Sequence, residues 1–412
     1  MTMRDLIPSS LKRWIKTRLL PRFFRWQRRL RGQVPQVPAA RVYTCPDAAC
    51  FVGYYDVTPV SPDGTSVLGH CVRDGEGSRQ AADVGYFDLA SGLFVSVDQT
   101  ALWCWQLGAR LQWWPGEPRR LAYNTVHNGQ PVFAARAENG LLDVLCEAPV
   151  FDVNAAAGLA INLNFGRLAW ARPGYGYPAL EDPFRDLGLP EEDGLWISDL
   201  RSGRRELRYP LTRFADLVGA HTEGAFHYLN AASLSPTARK FHVLYKRIPD
   251  PAKPDIWDVD AVVGSVDGSE IRRVPLPGKA SHYWWLNDAE IVYTSVRGKT
   301  CDYLVYDWQS NRTRLLHPRA PDTDGHPSHH APSSQWVTDT YPDRFGEQAL
   351  YILAPDGRRD LLGQFPANPA YQDDMRCDLH PRWSPDGRSV VIDTTAHGRR
   401  EIWVVDIERE RL

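Results

Sequence analysis

With 412 residues, 43% of them apolar and 24% charged, the chain is long enough to bury a large core and has the balance of a globular protein. It contains no run of eighteen apolar residues, which excludes a membrane-spanning helix. The net charge of −2 hides a split: residues 1–31 hold ten Lys or Arg against one acid, a balance of +9, so the rest carries −11 and is poorly suited to nucleic acid.

In "SSLKRWIKTRLLPRFFRWQRRLRG" the apolar residues Leu11, Trp14, Ile15, Leu19, Phe23 and Trp26 recur at steps of three and four among the basic ones. This predicts a basic amphipathic helical arm over residues 1–31, with Pro21 as a kink or boundary. Residues 5–31 would meet an anionic membrane surface or a protein partner. Basic residues interrupt every apolar stretch, so no secretory signal is read, and the expected location is cytoplasmic, with the arm able to lie on the inner face of the membrane. "GQVPQVPAAR" reads as a linker, residues 32–41. The seven cysteines are odd in number and lack a CxxC pair, which suggests buried free thiols instead of a disulfide framework or zinc ribbon.

From residue 42 to 412 one pattern repeats. Its first half is a turn between two apolar runs, as in "VTPVSPDGTSVLGH" and "PRWSPDGRSVVID"; its second half is a short strand, a turn and another strand, as in "DVGYFDLASGLFVSV" and "CDYLVYDWQSNRTRLL". Pro presets φ in such turns and Gly accepts positive φ. Each half occurs seven times, which predicts an all-β fold, a seven-bladed β-propeller. A β-sandwich or β-helix would leave the sevenfold alternation without a cause. One interval is longer by "GRLAWARPGYGYPALEDPFRDLGLPEED", residues 166–193, read as a functional loop on one face. The tryptophans of "CWQLGARLQWWPGEP" read as packing between blades.

Aligning the last three units on their turns sets "HYWWLNDAEIV", "HPSHHAPSSQWV" and "HPRWSPDGRSVV" in register, with His282, His326 and His380 at one offset. Residues just before an innermost strand line one mouth of a propeller channel, so three imidazoles from neighbouring blades would converge there on a ligand. The alternative is that each histidine only bonds a neighbouring strand. His227 is four residues off this register and would reach the pocket from its loop. Arg376, Asp378 and Asp324 lie nearby in sequence, making the neighbourhood rich in metal-ligand and acid/base groups. The long loop adds Arg172, Tyr175 and Tyr177, with Arg167 just before them, over the channel mouth; the alternative is a lid or blade-packing insert without chemistry.

At "SHYWWLND", "DGHPSHH", "DTYPDR" and "RCDLHPRWSPDG" the sequence resembles the propeller-type polysaccharide lyases, chiefly the oligogalacturonate lyase family and more loosely the ulvan lyases. The blade pattern carries the likeness over most of residues 50–407. The resemblance implies that His282 matches the base, while His326 and His380 match ligands of a divalent ion such as Mn, Ca or Zn, with Asp378 beside them. The family's last-blade motif supplies a His and a Gln where this chain has Asp378 and Arg376, and Arg376 could neutralise a substrate carboxylate without an ion. The implied activity is β-elimination on an acidic, uronate-containing oligo- or polysaccharide, with His282, His227, Arg376 and Tyr175 catalytic and Arg167, Arg172 and Tyr177 on the substrate. A non-catalytic scaffold in surface-polysaccharide biosynthesis at the inner membrane is the competing expectation, and a peptide-binding propeller of the TolB kind a third. No Gly-x-Ser-x-Gly elbow or P-loop adds hydrolase or nucleotide chemistry.

Overall fold

The computed structural model describes residues 19–30, 36–73, 80–317 and 323–407. Residues 48–100, 112–146, 152–210, 226–273, 279–315 and 328–366 each form one antiparallel sheet of four strands in sequential order, blades 1 to 6. Blade 7 takes Arg382–Trp383, Ser389–Thr394 and Glu401–Asp406, and its fourth strand is Ala40–Tyr43 from the other end of the chain. The protein is a seven-bladed β-propeller, as its repeats predict.

The repeat works because its turns are chemically alike. At 61–64 and 384–387 the Gly amide donates to the Ser carbonyl, 2.9 Å in both, with Gly64 and Gly387 at φ 72° and 68°. In each turn the Ser hydroxyl also donates to the following Asp. The first and second strands of a blade can be buried along their whole length, as in Phe226–Leu234 and Ser389–Thr394, whereas a fourth strand such as Phe94–Thr100 is half exposed.

The expected boundary between linker and propeller at residue 41 is displaced. Ala40 pairs with Val405 and Tyr43 with Ile402, so the ring-closing strand begins inside the segment read as linker. A strand this short has no readable period, and its partner lies more than 360 residues away.

Among the described residues three α-helices stand outside the blades. Helix α1, Leu20–Leu30, has Pro21 in its first turn. Pro21 is buried, while Leu20, Phe23, Trp26 and Leu30 are exposed. Residues 1–18 of the expected arm lie outside the described residues. Helix α2, Phe165–Ala171, opens the long insertion and is capped by Asn164, whose side chain accepts from the Arg167 amide at 2.9 Å. Helix α3, Leu211–Val218, follows the last strand of blade 3. No described helix is long and apolar enough to cross a membrane.

Trp103 and Trp105 pack edge to face in the core of blades 1 and 2, as expected of that tryptophan run. All seven thiols are free, and all but half-buried Cys45 are buried.

Candidate active site

His282 sits in the first strand of blade 5, Lys279–Trp285; His326 and His380 come just before the first strands of blades 6 and 7. Blade rotation brings the three rings together, His282 to His326 at 4.1 Å and His326 to His380 at 4.4 Å between centroids. Each ring is fixed through Nδ1. His282 Nδ1 donates to Asp324 at 3.1 Å, His326 Nδ1 to Asp339 at 2.8 Å, and His380 Nδ1 to the Gly53 carbonyl at 2.9 Å. That arrangement leaves the lone pair of each ring on Nε2. The strand-bonding alternative therefore holds for one nitrogen of each ring only.

Local backbone chemistry makes the convergence possible. A Cβ on Gly325 would collide with the Asp339 carbonyl oxygen, so only glycine lets the Asp324–His326 stretch lie against Asp339. His380 itself has left-handed backbone, φ 43°, which costs a side-chain-bearing residue about 1–2 kcal/mol. The surroundings hold it there: Arg382 Nε donates to the Tyr54 carbonyl at 2.9 Å, tying the segment that accepts from His380.

Nε2 of His326 and Nε2 of His380 are buried and find no hydrogen-bond partner among the described residues. With Asp378 they form a group whose ligand atoms all lie within 4.8 Å of one another. Two orphaned imidazole lone pairs and a carboxylate at that spacing fit a divalent ion. Arg376 donates to the same carboxylate, 2.8 Å from Nε and 2.7 Å from Nη2.

The charges follow from burial and neighbours. Burial and the His326 ring lower the His282 pKa, leaving it neutral near pH 7. Burial opposes the Asp324 charge, yet His282, Ser281 and His326 outweigh it and bring Asp324 down to about 2. Burial also opposes the charge of His326, and Asp339, Asp378 and Asp324 together raise its pKa despite that. His380 goes the other way, well below the ordinary range, through burial, His326 and Arg382.

A cavity of about 350 Å³ opens beside this cluster. His282, Asp324, Tyr341, Arg376, Arg172, Tyr175, Lys246, Trp257 and Lys279 are among the residues that line it. Tyr54 and Tyr341 belong to both cavity and cluster, with Tyr54 5.0 Å from His380 and Tyr341 5.9 Å from His326. Three cations surround the Trp257 ring: Lys246 at 4.3 Å, Lys279 at 5.1 Å and Arg172 at 5.6 Å. Burial first, then Arg172 and Lys279, push Lys246 down to about 7.

Of the residues singled out by sequence, His282, His326, His380, Arg376, Asp378, Tyr175 and Arg172 come together at or beside this cavity. Three do not. Arg167, expected on the substrate, is 1% exposed, pairs with Asp182 at 3.2 Å and donates to the carbonyls of His227, Phe184, Leu187 and Gly188, so it pins the insertion. Tyr177 lies in the core, stacked on Phe165 at 4.0 Å and accepting from Asn124. His227 is buried against Tyr245, its pKa lowered to about 4 by burial, and it does not line the cavity. The insertion folds back on blade 2 through Tyr177 and on blade 4 through Arg167 and Gly188, and its composition does not disclose which neighbours it meets.

Lys246, Lys279 and Trp257 were not anticipated, and Asp339 and Tyr341 stand in the quoted motif "DTYPDR" but were given no role. One signal was present: Lys246 interrupts the apolar run "FHVLY", and a lysine in a buried strand needs a reason.

No family model matches the sequence, and no curated protein matches it. Solved structures do match in fold. An oligogalacturonate lyase in complex with manganese superposes with a TM-score of 0.65 at 15% identity, over 91% of this chain and 98% of that one. The oligogalacturonate lyase of Vibrio parahaemolyticus gives 0.62 at 13% identity, over 92% and 98%. This chain is a seven-bladed propeller similar in structure, along nearly its whole length, to oligogalacturonate lyases.

Proposed function

We propose that this propeller is a carbon–oxygen lyase that cleaves an acidic, uronate-containing oligosaccharide by β-elimination. The observation that carries the reading is a neutral, aspartate-oriented His282 facing a cavity bordered by Arg376, Arg172, Lys246 and Lys279.

β-Elimination removes the C5 proton beside the uronate carboxylate. The electron pair forms the C4–C5 double bond as the C4–O4 bond breaks, and O4 leaves protonated. The proton is hard to remove until the carboxylate is neutralised. Arg376, lining the cavity while anchored on Asp378, presents a cation for that purpose. His282 is the base: Asp324 holds Nδ1–H, leaves Nε2 to accept the proton, and stabilises the imidazolium that forms. Tyr175, whose pKa burial raises, keeps its hydroxyl proton and supplies it to O4. Trp257 offers a face for a sugar ring, and Arg172, Lys246 and Lys279 suit carboxylates of adjoining residues. A divalent ion such as Mn, Ca or Zn, held by His326, Asp378 and His380, would add positive charge where the enolate develops.

Incubation with a panel of uronate oligosaccharides, Mn(II) supplied, tests this by the ultraviolet absorption of the unsaturated uronate. The protein should generate it, and His282→Gln should lower kcat by roughly 10²–10⁴-fold while far-ultraviolet circular dichroism stays unchanged. Absence of the product across the panel would refute the lyase reading, even if the same sugars bind.

A further inference from the structure

The ring closes beside a second cluster of ligand atoms, remote from the channel. Cys45 lies two residues beyond the ring-closing strand; Cys50 and Cys71 sit directly opposite each other on the first two strands of blade 1. Their sulfurs converge, Cys50 to Cys71 at 3.0 Å and Cys45 to Cys71 at 3.2 Å. The Cys45 amide donates to Cys50 Sγ at 3.2 Å, a bond that favours a charged sulfur. Tyr43, Val52, Val67, Val391 and Ile402 surround the group, and among the described residues no imidazole or carboxylate joins it.

We propose that Cys45, Cys50 and Cys71 bind one thiophilic metal ion, Zn(II) or Cu(I), that ties the ring-closing segment to blade 1. The donor set is sulfur alone, which selects soft ions over the hard cations suited to the channel group. Three thiolates suffice for Cu(I), and Zn(II) would complete four-coordination with water on the half-buried Cys45 side. The ion replaces thiol protons, so uptake releases them. Apolar side chains exclude competing oxygen ligands, and a local pinch here links blade 7, through its fourth strand, to blade 1.

The test uses the full chain, reduced and kept anaerobic, carrying His326→Ala and His380→Ala so that the channel group is disabled. It is titrated separately with Zn(II), Cu(I) and Cd(II), the last as a spectroscopic probe. One equivalent should bind, with a thiolate-to-metal charge-transfer band for Cd(II) and Cu(I) and a thermal midpoint raised by several degrees. Cys45→Ser and Cys71→Ser should each weaken binding by at least roughly 100-fold and abolish the midpoint shift. Should Cys71→Ser fail to fold, Cys45→Ser, at the half-buried corner, decides alone. A chain that binds none of the three ions, a band that persists in Cys45→Ser, or thiols found joined as a Cys50–Cys71 disulfide whose reduced form takes up no ion would each overturn the proposal.

Discussion

Lys246 concentrates the electrostatics of the cavity in one side chain. It is buried, lies between Arg172 and Lys279, and makes no ion pair among the described residues. Its pKa of about 7 means that the cation is lost as pH rises through 7. If that charge holds a substrate carboxylate, KM should climb above pH 7, and Lys246→Arg, charged throughout, should flatten the profile. Stability should move oppositely. Between about 7 and the ordinary lysine range the unfolded chain binds a proton that the folded chain does not, so stability rises with pH there. The penalty for burying the charge is fully present below 7, and Lys246→Met should raise the thermal midpoint at pH 6 while weakening substrate binding. Asp339 acts through another residue. It accepts from His326 Nδ1 and also from the His326 and His380 amides, at 2.8 and 3.2 Å. Asp339→Asn should weaken Mn(II) binding roughly 10–100-fold in calorimetric titration, with the blades intact. The histidine trio was legible because three side chains share one offset from three similar turns. Lys246 was not, and Asp339 stood in a quoted motif without a role, since what each faces depends on how neighbouring blades rotate.

The 166–193 insertion shows what an element can hide. Its composition reads as a loop, yet α2 and Arg167 make it a rigid wedge that delivers Arg172 and Tyr175 to the cavity. Gly176 lies so close to α2 that a Cβ would collide with the backbone of Phe165 and Ala169. Gly176→Ala should therefore cost about 1–3 kcal/mol locally. The expected result is faster proteolysis within the insertion and a raised KM, with blade unfolding little changed. Strand pairs were readable because apolar alternation and turn chemistry are local. Helices of seven and eight residues, α2 and α3, offer too few turns for a stripe to stand out from flanking coil.

At the scale of the whole molecule, seven blades hold together because the first regular strand of the propeller joins the last sheet. Removing residues 1–43 strips Tyr43 from its core, worth about 1.5–3 kcal/mol for a side chain of that size, and exposes the edge of Glu401–Asp406. A chain starting at residue 44 should melt well below the full protein and aggregate, whereas one starting at residue 32 should melt close to it. Blade number was legible from repeats alone; the closure was not, because four residues pairing across the entire chain leave no local trace. The same pairing sets an order of events during synthesis. Ala40–Tyr43 leaves the ribosome long before its partner at 402–405. Until then the nascent polypeptide carries an unmatched strand, a feature that chaperones and proteases recognise. A polypeptide cut short before residue 402 thus leaves that strand unmatched, and quality control can tell it from one that closes its ring.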